Sequence, residues 1–359
     1  MFSFSLQAIC FPFHFLFLRF SSRMALATLE LVAALADGVF HSGEELGDHF
    51  GVTRAAIWKA LKKLPELGLE VHSVRGKGYR LSEVLTLLDA DKIQSGLSAG
   101  QRSNVCEIEI LNCVDSTNSH ALRKIQNGSL KLPPGQNYIC LAEMQSAGRG
   151  RRGRLWASPF GHNLYLSTVH IFGTGAVGLE GLSLVVGLAL VKALQAFGFS
   201  GLSLKWPNDV LWQDKKLAGI LIEINGDIAG SCQVIIGLGL NLKQNAVSMN
   251  GVGQPWVTLC ELGFTQHLRN ELFGKILHYQ MAAIDRFHAE GFAPFTKDWK
   301  LLDITAGKKV ELSTVSGSVS GVGQGVDNTG AFLLETETGL QKFYGGEVSL
   351  RSAAVHKST

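Results

Sequence analysis

No Cys-x-x-Cys pair occurs among the six cysteines of this 359-residue chain. That removes the spacing expected of a zinc site or of a compact disulfide framework. Cys10, Cys106, Cys113, Cys140, Cys232 and Cys260 read as reduced, mostly buried thiols of a cytosolic protein. The chain also lacks an uninterrupted central apolar run of the ~18 residues that a membrane span needs. Its best candidate, 182–199, is broken by Lys192, Gln195 and glycines, so a buried helix across a sheet is predicted there. Net charge is only +3, which implies no global field for polyanions and leaves any nucleic-acid contact to a local patch. No Ser-His-Asp series and no metal triad is visible, and no metal ligand is assigned. The length exceeds one ordinary core, so two or three domains are expected.

What the chain does have is a loop rich in arginine and glycine, Gly148-Arg-Gly-Arg-Arg-Gly-Arg154. Arginine offers a permanently charged planar fork to carboxylates and phosphates, and glycines let the backbone approach such a ligand. The run satisfies G-x-G-x-x-G, but a dinucleotide fingerprint needs a helix opening on its third glycine. Here Trp156, Pro159 and Gly161 intervene and 163–169 alternates as a strand. No Lys-Ser or Lys-Thr follows at P-loop spacing. An anion-holding loop and a surface basic patch for nucleic acid both remain open on charge alone.

Residues 1–23 differ from the rest. Phe2, Phe4, Phe11, Phe13, Phe15, Phe17 and Phe20 precede Arg19 and Arg23 or lie beside them, whereas a secretory signal places its positive charge first. The expectation is a mis-assigned start, with translation beginning at Met24, a targeting segment being the other reading. From there Leu26, Leu29, Val32 and Ala33 keep helical spacing up to Asp37-Gly38. Ser42-Gly-Glu-Glu45 forms a capping box, Gly51 supplies a turn, and Thr53 caps a third helix. This is helix-turn-helix grammar. Arg54, Trp58, Lys59 and Lys62 fall on the outer face of the second helix of the pair, and 71–81 reads as a basic hairpin about Arg75-Gly76-Lys77-Gly78. Helix and wing together predict DNA binding, although Trp58 is unusual on a base-reading face. A helical connection is predicted over 82–91, a strand over 105–111, and helices over 118–125 and 268–290. Beyond Trp299, short alternating runs at 309–312, 317–326, 331–335 and 341–344 are separated by glycine turns, as in a small β-barrel.

Gln145-Ser-Ala-Gly-Arg-Gly-Arg-Arg-Gly-Arg-Leu-Trp156, Lys205-Trp-Pro-Asn-Asp209, Lys216-Leu-Ala-Gly-Ile-Leu-Ile-Glu223, Gly237-Leu-Gly-Leu-Asn241 and Gly345-Gly-Glu-Val-Ser-Leu-Arg351 occur in that order. The chain resembles, over about 24–353, the family of bifunctional biotin operon repressors and biotin protein ligases, and several ordered motifs are far more specific than one. The resemblance implies a multidomain α+β protein: a winged helix-turn-helix at 24–83, a mixed α/β ligase core at 84–303 and an SH3-like β-barrel at 304–359. It implies biotin and ATP as substrates with Mg2+, and a biotinyl-5′-AMP intermediate. The partners it implies are the biotin carboxyl carrier protein of acetyl-CoA carboxylase and biotin operator DNA, with a homodimer when adenylate is bound, in the cytoplasm and away from membranes.

By the same resemblance Ser116, Thr117, Asn118, Gln145, Arg149, Gly150, Arg151 and Lys216 contact biotin. Hydroxyls and amides suit its ureido ring and a lysine its carboxylate; Ser116 and Thr117 also read as helix caps. Arg151, Arg154, Trp156, Asn208 and Asn241 form the adenylate side. Lys216, Arg151 and Asp209 are the catalytic candidates, Asp209 to orient or deprotonate the acceptor lysine, with structural hydrogen bonding beside Pro207 an equal reading. Arg54, Trp58, Lys59, Lys62 and Lys77 are the DNA candidates. Two rivals stand: a ligase without repressor activity, and a non-catalytic biotin-sensing DNA-binding regulator.

Overall fold

The computed structural model describes residues 22–173, 175–227, 230–243 and 254–350. Nearly all of the 1–23 extension and Cys10 lie outside the described residues. The first unit packs α1 (Ser22–Leu35), α2 (Gly43–Phe50) and α3 (Arg54–Leu61) against the hairpin β1 (Val71–Val74) and β2 (Gly78–Leu81). The caps act as their sequence dictates. Ser42 and Glu45 form a reciprocal capping box, Gly51 ends α2 in the left-handed region, and Thr53 accepts the Ala56 N–H.

The connection to the next unit is not helical before α4 (Ala90–Ser95), which corrects the helical reading of 82–91. Hydrogen bonding holds it instead. Leu85 N–H donates to Ala36 O, Arg269 donates to Thr86 O, Asn270 donates to Leu87 O, and Leu88 N–H donates to Glu143. The hydrophobic core of the winged unit, built on Leu31, Val32, Leu35, Ile57 and Leu64, also contains Leu85 and Phe160. A side chain of the central unit therefore completes the core of the first.

After α5 (Ala99–Ser103), the central unit is a seven-stranded mixed sheet. Its strands are β3 (Val105–Leu111), β4 (Asn137–Ala142), β5 (Leu164–Phe172), β6 (Leu202–Lys205), β7 (Asp209–Trp212), β8 (Lys215–Gly226) and β9 (Cys232–Leu240), in the order β3-β4-β5-β9-β8-β7-β6. The apolar run expected as a buried helix is α7 (Leu182–Ala196). It pairs with α8 (Arg269–Glu290) over one face of the sheet, where Leu164, Leu166, Ile236 and Leu238 point. On the other face α6 (Thr117–Gln126) covers Tyr138, Cys140, Val169 and Ile235. Beyond the N-terminus of α6 that face is open, and the site lies there. Of the five described cysteines, Cys106 and Cys113 are exposed and free, so the expectation of mostly buried thiols fails for them.

α9 (Thr296–Leu302) leads into β10 (Lys309–Thr314), β11 (Gly317–Val326), β12 (Phe332–Thr336), β13 (Gly339–Phe343) and β14 (Glu347–Leu350). These form a five-stranded antiparallel sheet in the order β13-β12-β11-β10-β14, and no closing pair joins its two edges among the described residues. The structure therefore supports a C-terminal β-domain, not a closed barrel. Trp206 Nε1 donates to Gly330 O and its ring lies 5.5 Å from that of Phe332, so the Lys205–Asp209 turn is seated on this domain.

Candidate active site

Strand register builds the floor of the cleft. Tyr165, Gly239, Gly219 and Asp209 are successive partners across β5, β9, β8 and β7, with Ser167, Gly237 and Leu221 in the next row. Two glycines in the middle of the first row leave a trough. A Cβ on Gly239 would stand 2.5 Å from the Trp156 ring and one on Gly219 3.2 Å from it, so the indole lies in that trough. Its Nε1 is buried without a partner among the described residues, which leaves a donor available to a ligand. A bulge sets the fourth wall. Val210 pairs with Ala218 but Leu211 pairs with Lys216, so one extra residue on β8 turns Lys216 from the α7 side to the cleft side. There its Nζ stands 2.8 Å from Asp209 Oδ1, a close ion pair without hydrogen-bond alignment, and 5.5 Å from the Trp156 ring. Lys205, a residue the sequence reading left without a role, lies 3.7 Å from the same carboxylate.

The arginine loop folds back as a small hairpin. Arg152 adopts φ 56° and Gly153 φ 73°, the left-handed region that favours glycine. This turn lets Gly150 N–H reach Arg154 O at 2.7 Å while Trp156 N–H reaches Gly148 O at 2.8 Å. Arg149 pairs with Glu223 at 2.6 Å. Arg151 donates to two neutral oxygens, Asn208 Oδ1 at 3.2 Å and Gly346 O at 3.3 Å. Burial pushes its pKa down, and no carboxylate bonds it directly. Arg152 donates to Ser313 O, and Arg154 grips Glu347 with both guanidinium nitrogens. The Arg154 hydrogen bond holds the Glu347 carboxyl below its ordinary range.

Six cations, Arg149, Arg151, Arg152, Arg154, Lys205 and Lys216, line the cleft against two carboxylates, Asp209 and Glu347. For a chain with a net charge of +3 this is a strong local concentration of positive charge, directed at a ligand of several negative charges. At the other end, Ser116 occupies the N-cap of α6 but makes no side-chain capping bond. Gln145 does the capping, accepting both the N–H and the hydroxyl of Thr117. Capping by Ser116 is therefore corrected, and its hydroxyl is not committed to the helix. Asn118 donates to Glu223 and to Leu221 O. Asn208 and the other proposed residues meet in the cleft, with one exception: Asn241 is absent from its lining. Its buried amide instead braces the Lys216 and Val257 carbonyls, so it supports the lysine from behind. Glu347 and Glu223 were missed by sequence reasoning; both sit in the quoted motifs, but their partners are far away in the chain.

On the winged unit, Arg54, Trp58, Lys59, Lys62, Arg75 and Lys77 are all exposed. Lys62 Nζ sits 3.7 Å over the Trp58 ring.

The chain matches three family models: an HTH domain over 28–80, the biotin/lipoate A/B protein ligase family over 110–241, and the biotin protein ligase C terminal domain over 305–351. It is 42% identical to the bifunctional ligase/repressor BirA of Salmonella typhimurium over 325 residues, 90% of this chain and 98% of that one. To the protein of the same name from Escherichia coli it is also 42% identical, over 90% of this chain and 97% of that one. Among solved structures, biotin protein ligase from Aquifex aeolicus in complex with biotin and ATP superposes with a TM-score of 0.57 at 29% identity, covering 69% of this chain and all of that one.

Proposed function

The chain belongs to the biotin protein ligase family, and from that premise, with a helix-turn-helix domain on the same chain, we propose that it is a bifunctional ligase and repressor. It forms biotinyl-5′-AMP from biotin and ATP and passes the biotinyl group to a lysine of the biotin carboxyl carrier protein of acetyl-CoA carboxylase. The observation that carries this reading is the cleft with six cations and two carboxylates. In the first step a biotin carboxylate oxygen bonds to the α-phosphorus of ATP, the bond to the β-phosphate oxygen breaks, and pyrophosphate leaves. Two anions must be pressed together, so fixed positive charge is what the step needs.

Lys216 turns from Asp209 to the carboxylate and the α-phosphate. Arg151, bonded among the described residues to two neutral oxygens, holds the phosphate that gives it a full counter-charge. Arg154 exchanges Glu347 for the nucleotide, and Trp156 offers its face to the purine. Asn208 sets Arg151 by accepting its N–H, and Asn241 sets the Lys216 backbone. Ser116, Thr117, Asn118, Gln145, Arg149 and Gly150 enclose the ureido end. Among the described residues no three or more His, Cys, Asp or Glu converge. Asp209 and Glu347 are the cleft carboxylates that would hold Mg2+ beside the phosphates, where it would supply charge neutralisation. In the second step the acceptor ammonium gives a proton to solvent water or to the Asp209 carboxylate, and its nitrogen then bonds to the biotinyl carbonyl carbon as the bond to the phosphate oxygen breaks and AMP leaves. Asp209, released from Lys216, is the carboxylate placed to orient that amine.

Arg54 and Lys59 on α3, Lys62 at its C-cap and Lys77 on the wing contact operator DNA, two copies of the chain binding a palindrome when adenylate promotes dimerisation. The C-terminal β-domain takes an SH3-like form, and the protein works in the cytoplasm. One contact favours the rival in which the winged unit is structural only, for Lys62 rests on Trp58 and is partly withdrawn from phosphate. Incubation with biotin, Mg·ATP and a carrier domain should add one biotinyl mass to the carrier, and an unchanged carrier mass refutes the ligase. Operator affinity that rises with adenylate and falls steeply with salt supports the repressor; affinity indifferent to both leaves the structural rival.

A further inference from the structure

Glu223 has no role in the reaction as derived so far, yet it anchors both sides of the biotin end. One of its oxygens, Oε2, accepts Arg149 Nη2 at 2.6 Å and Asn118 Nδ2 at 2.8 Å. Asn118 Oδ1 accepts the Ser167 hydroxyl at 2.6 Å, and Ser167 Oγ stands 2.7 Å from Thr117 Oγ1. Thr117 N–H donates to Gln145 Oε1, Gln145 Nε2 donates to Ser158 Oγ at 2.9 Å, and Ser158 Oγ donates to Trp156 O at 2.9 Å. Trp156 N–H returns to Gly148 O, one residue from Arg149. The polar groups thus form a closed circuit around the pocket, beginning and ending on the arginine loop. The fit is tight: a Cβ on Gly237 would stand 2.4 Å from Asn118 Oδ1.

A carboxylate only accepts. Glu223, together with Leu221 O, therefore dictates that Asn118 presents its NH2 to β8 and its carbonyl to Ser167. The same oxygen draws the first arginine of the loop against the pocket wall. We infer that Glu223 is a positioning residue for biotin, fixing the polarity of the circuit and the closure of the loop backbone at Gly150 without touching the substrate. Glutamine at this position keeps the shape but can donate toward Asn118, which leaves the amide orientation to Leu221 O alone at 3.3 Å, and it gives up the charge that holds Arg149.

This role rests on the biotin-adenylation reading, so the test measures biotin-dependent ATP–pyrophosphate exchange in the unsubstituted chain first. Absence of exchange there overturns the ligase reading, and this role with it. With exchange present, Glu223→Gln should raise the KM for biotin about tenfold while kcat and the KM for ATP stay within about twofold, the signature of lost ground-state positioning. Arg149→Met should act in the same direction, and the double variant should be less than additive, because both substitutions remove the shared Glu223–Arg149 pair. A KM for biotin within about twofold of the parent in folded Glu223→Gln, or additive effects in the double variant, would overturn the role while leaving the ligase reading intact. Should Glu223→Gln fail to fold, Arg149→Met reads the same contact from the exposed side, and an unchanged KM for biotin there is equally fatal.

Discussion

Two of the short arginine–carboxylate pairs in this chain differ in their surroundings, and solvent separates their purposes. Arg269 and Glu143 meet at 2.6 Å with side chains 0% and 1% exposed, whereas Arg154 and Glu347 meet at 2.6 Å with side chains 56% and 24% exposed. The buried guanidinium also donates to Thr86 O and Asn163 O, and the buried carboxylate also accepts Leu88 N–H. That pair staples the interdomain connection to the start of α8. Breaking a buried pair strands a charge in low dielectric, at a cost of about 3–5 kcal/mol. The half-exposed pair loses little when broken, about 0–1 kcal/mol, so a phosphate can take its place. Distance alone does not say whether an ion pair is a rivet or a catch.

The largest effect should come from Arg269→Met, which leaves Glu143 unpaired and should lower stability by about 3–5 kcal/mol in denaturant unfolding. Adding Glu143→Leu should recover much of that loss; a single substitution costing less than about 1 kcal/mol would erase the distinction between the two pairs. Next, Lys216→Ala should reduce adenylation by about a hundredfold to a thousandfold, far more than it costs folding because Lys205 still neighbours Asp209, measured as pyrophosphate exchange on the folded variant. A mutant that adenylates at the parental rate removes Lys216 from the chemistry.

An intermediate case is Glu109, partly buried on β3. Burial works to raise its pKa, but hydrogen bonds from Lys124, Tyr138 and His120 prevail and lower it to about 2. Its folded pKa lies below the unfolded one, so the stabilisation is full above the ordinary glutamate range and drains as pH falls toward about 2. Glu109→Gln should flatten that acid limb of the melting temperature, and identical limbs would count against the assignment. The smallest stability change should belong to Arg154→Met, within about 1 kcal/mol of the parent, while the KM for ATP rises. A large stability loss there would make Arg154 a rivet like Arg269.

Local grammar was readable. The capping box at Ser42 and Glu45, the left-handed Gly51 and the Val105–Leu111 strand are where periodicity and turn chemistry place them. So is the buried α7. Ordered motifs brought Ser116, Gln145, Arg151, Trp156 and Lys216 together before any coordinates. What escaped depends on partners remote in the chain. Glu347 acquires meaning only because β14 runs beside β10 and delivers it to Arg154, and Arg269 only because α8 starts against Glu143. The bulge that turns Lys216 into the cleft leaves no trace in hydrophobic alternation, because Leu217 looks like any other strand residue. The four-residue β14 was likewise too short to show a period. The missing closure of the C-terminal sheet follows from pairing that composition does not specify.

Phe160 follows the arginine loop by a few residues and ends buried in the core of the winged unit. The consequence concerns modularity. Gene shuffling treats a DNA-binding unit as an interchangeable cassette, yet this one borrows a core aromatic from its neighbour. Cutting the chain in the connection would leave a void in one fragment and an exposed phenyl ring in the other. Any productive swap of regulatory heads among such chains must therefore carry the seat for this ring along with the helices, and the heredity of the two halves is tied by one side chain.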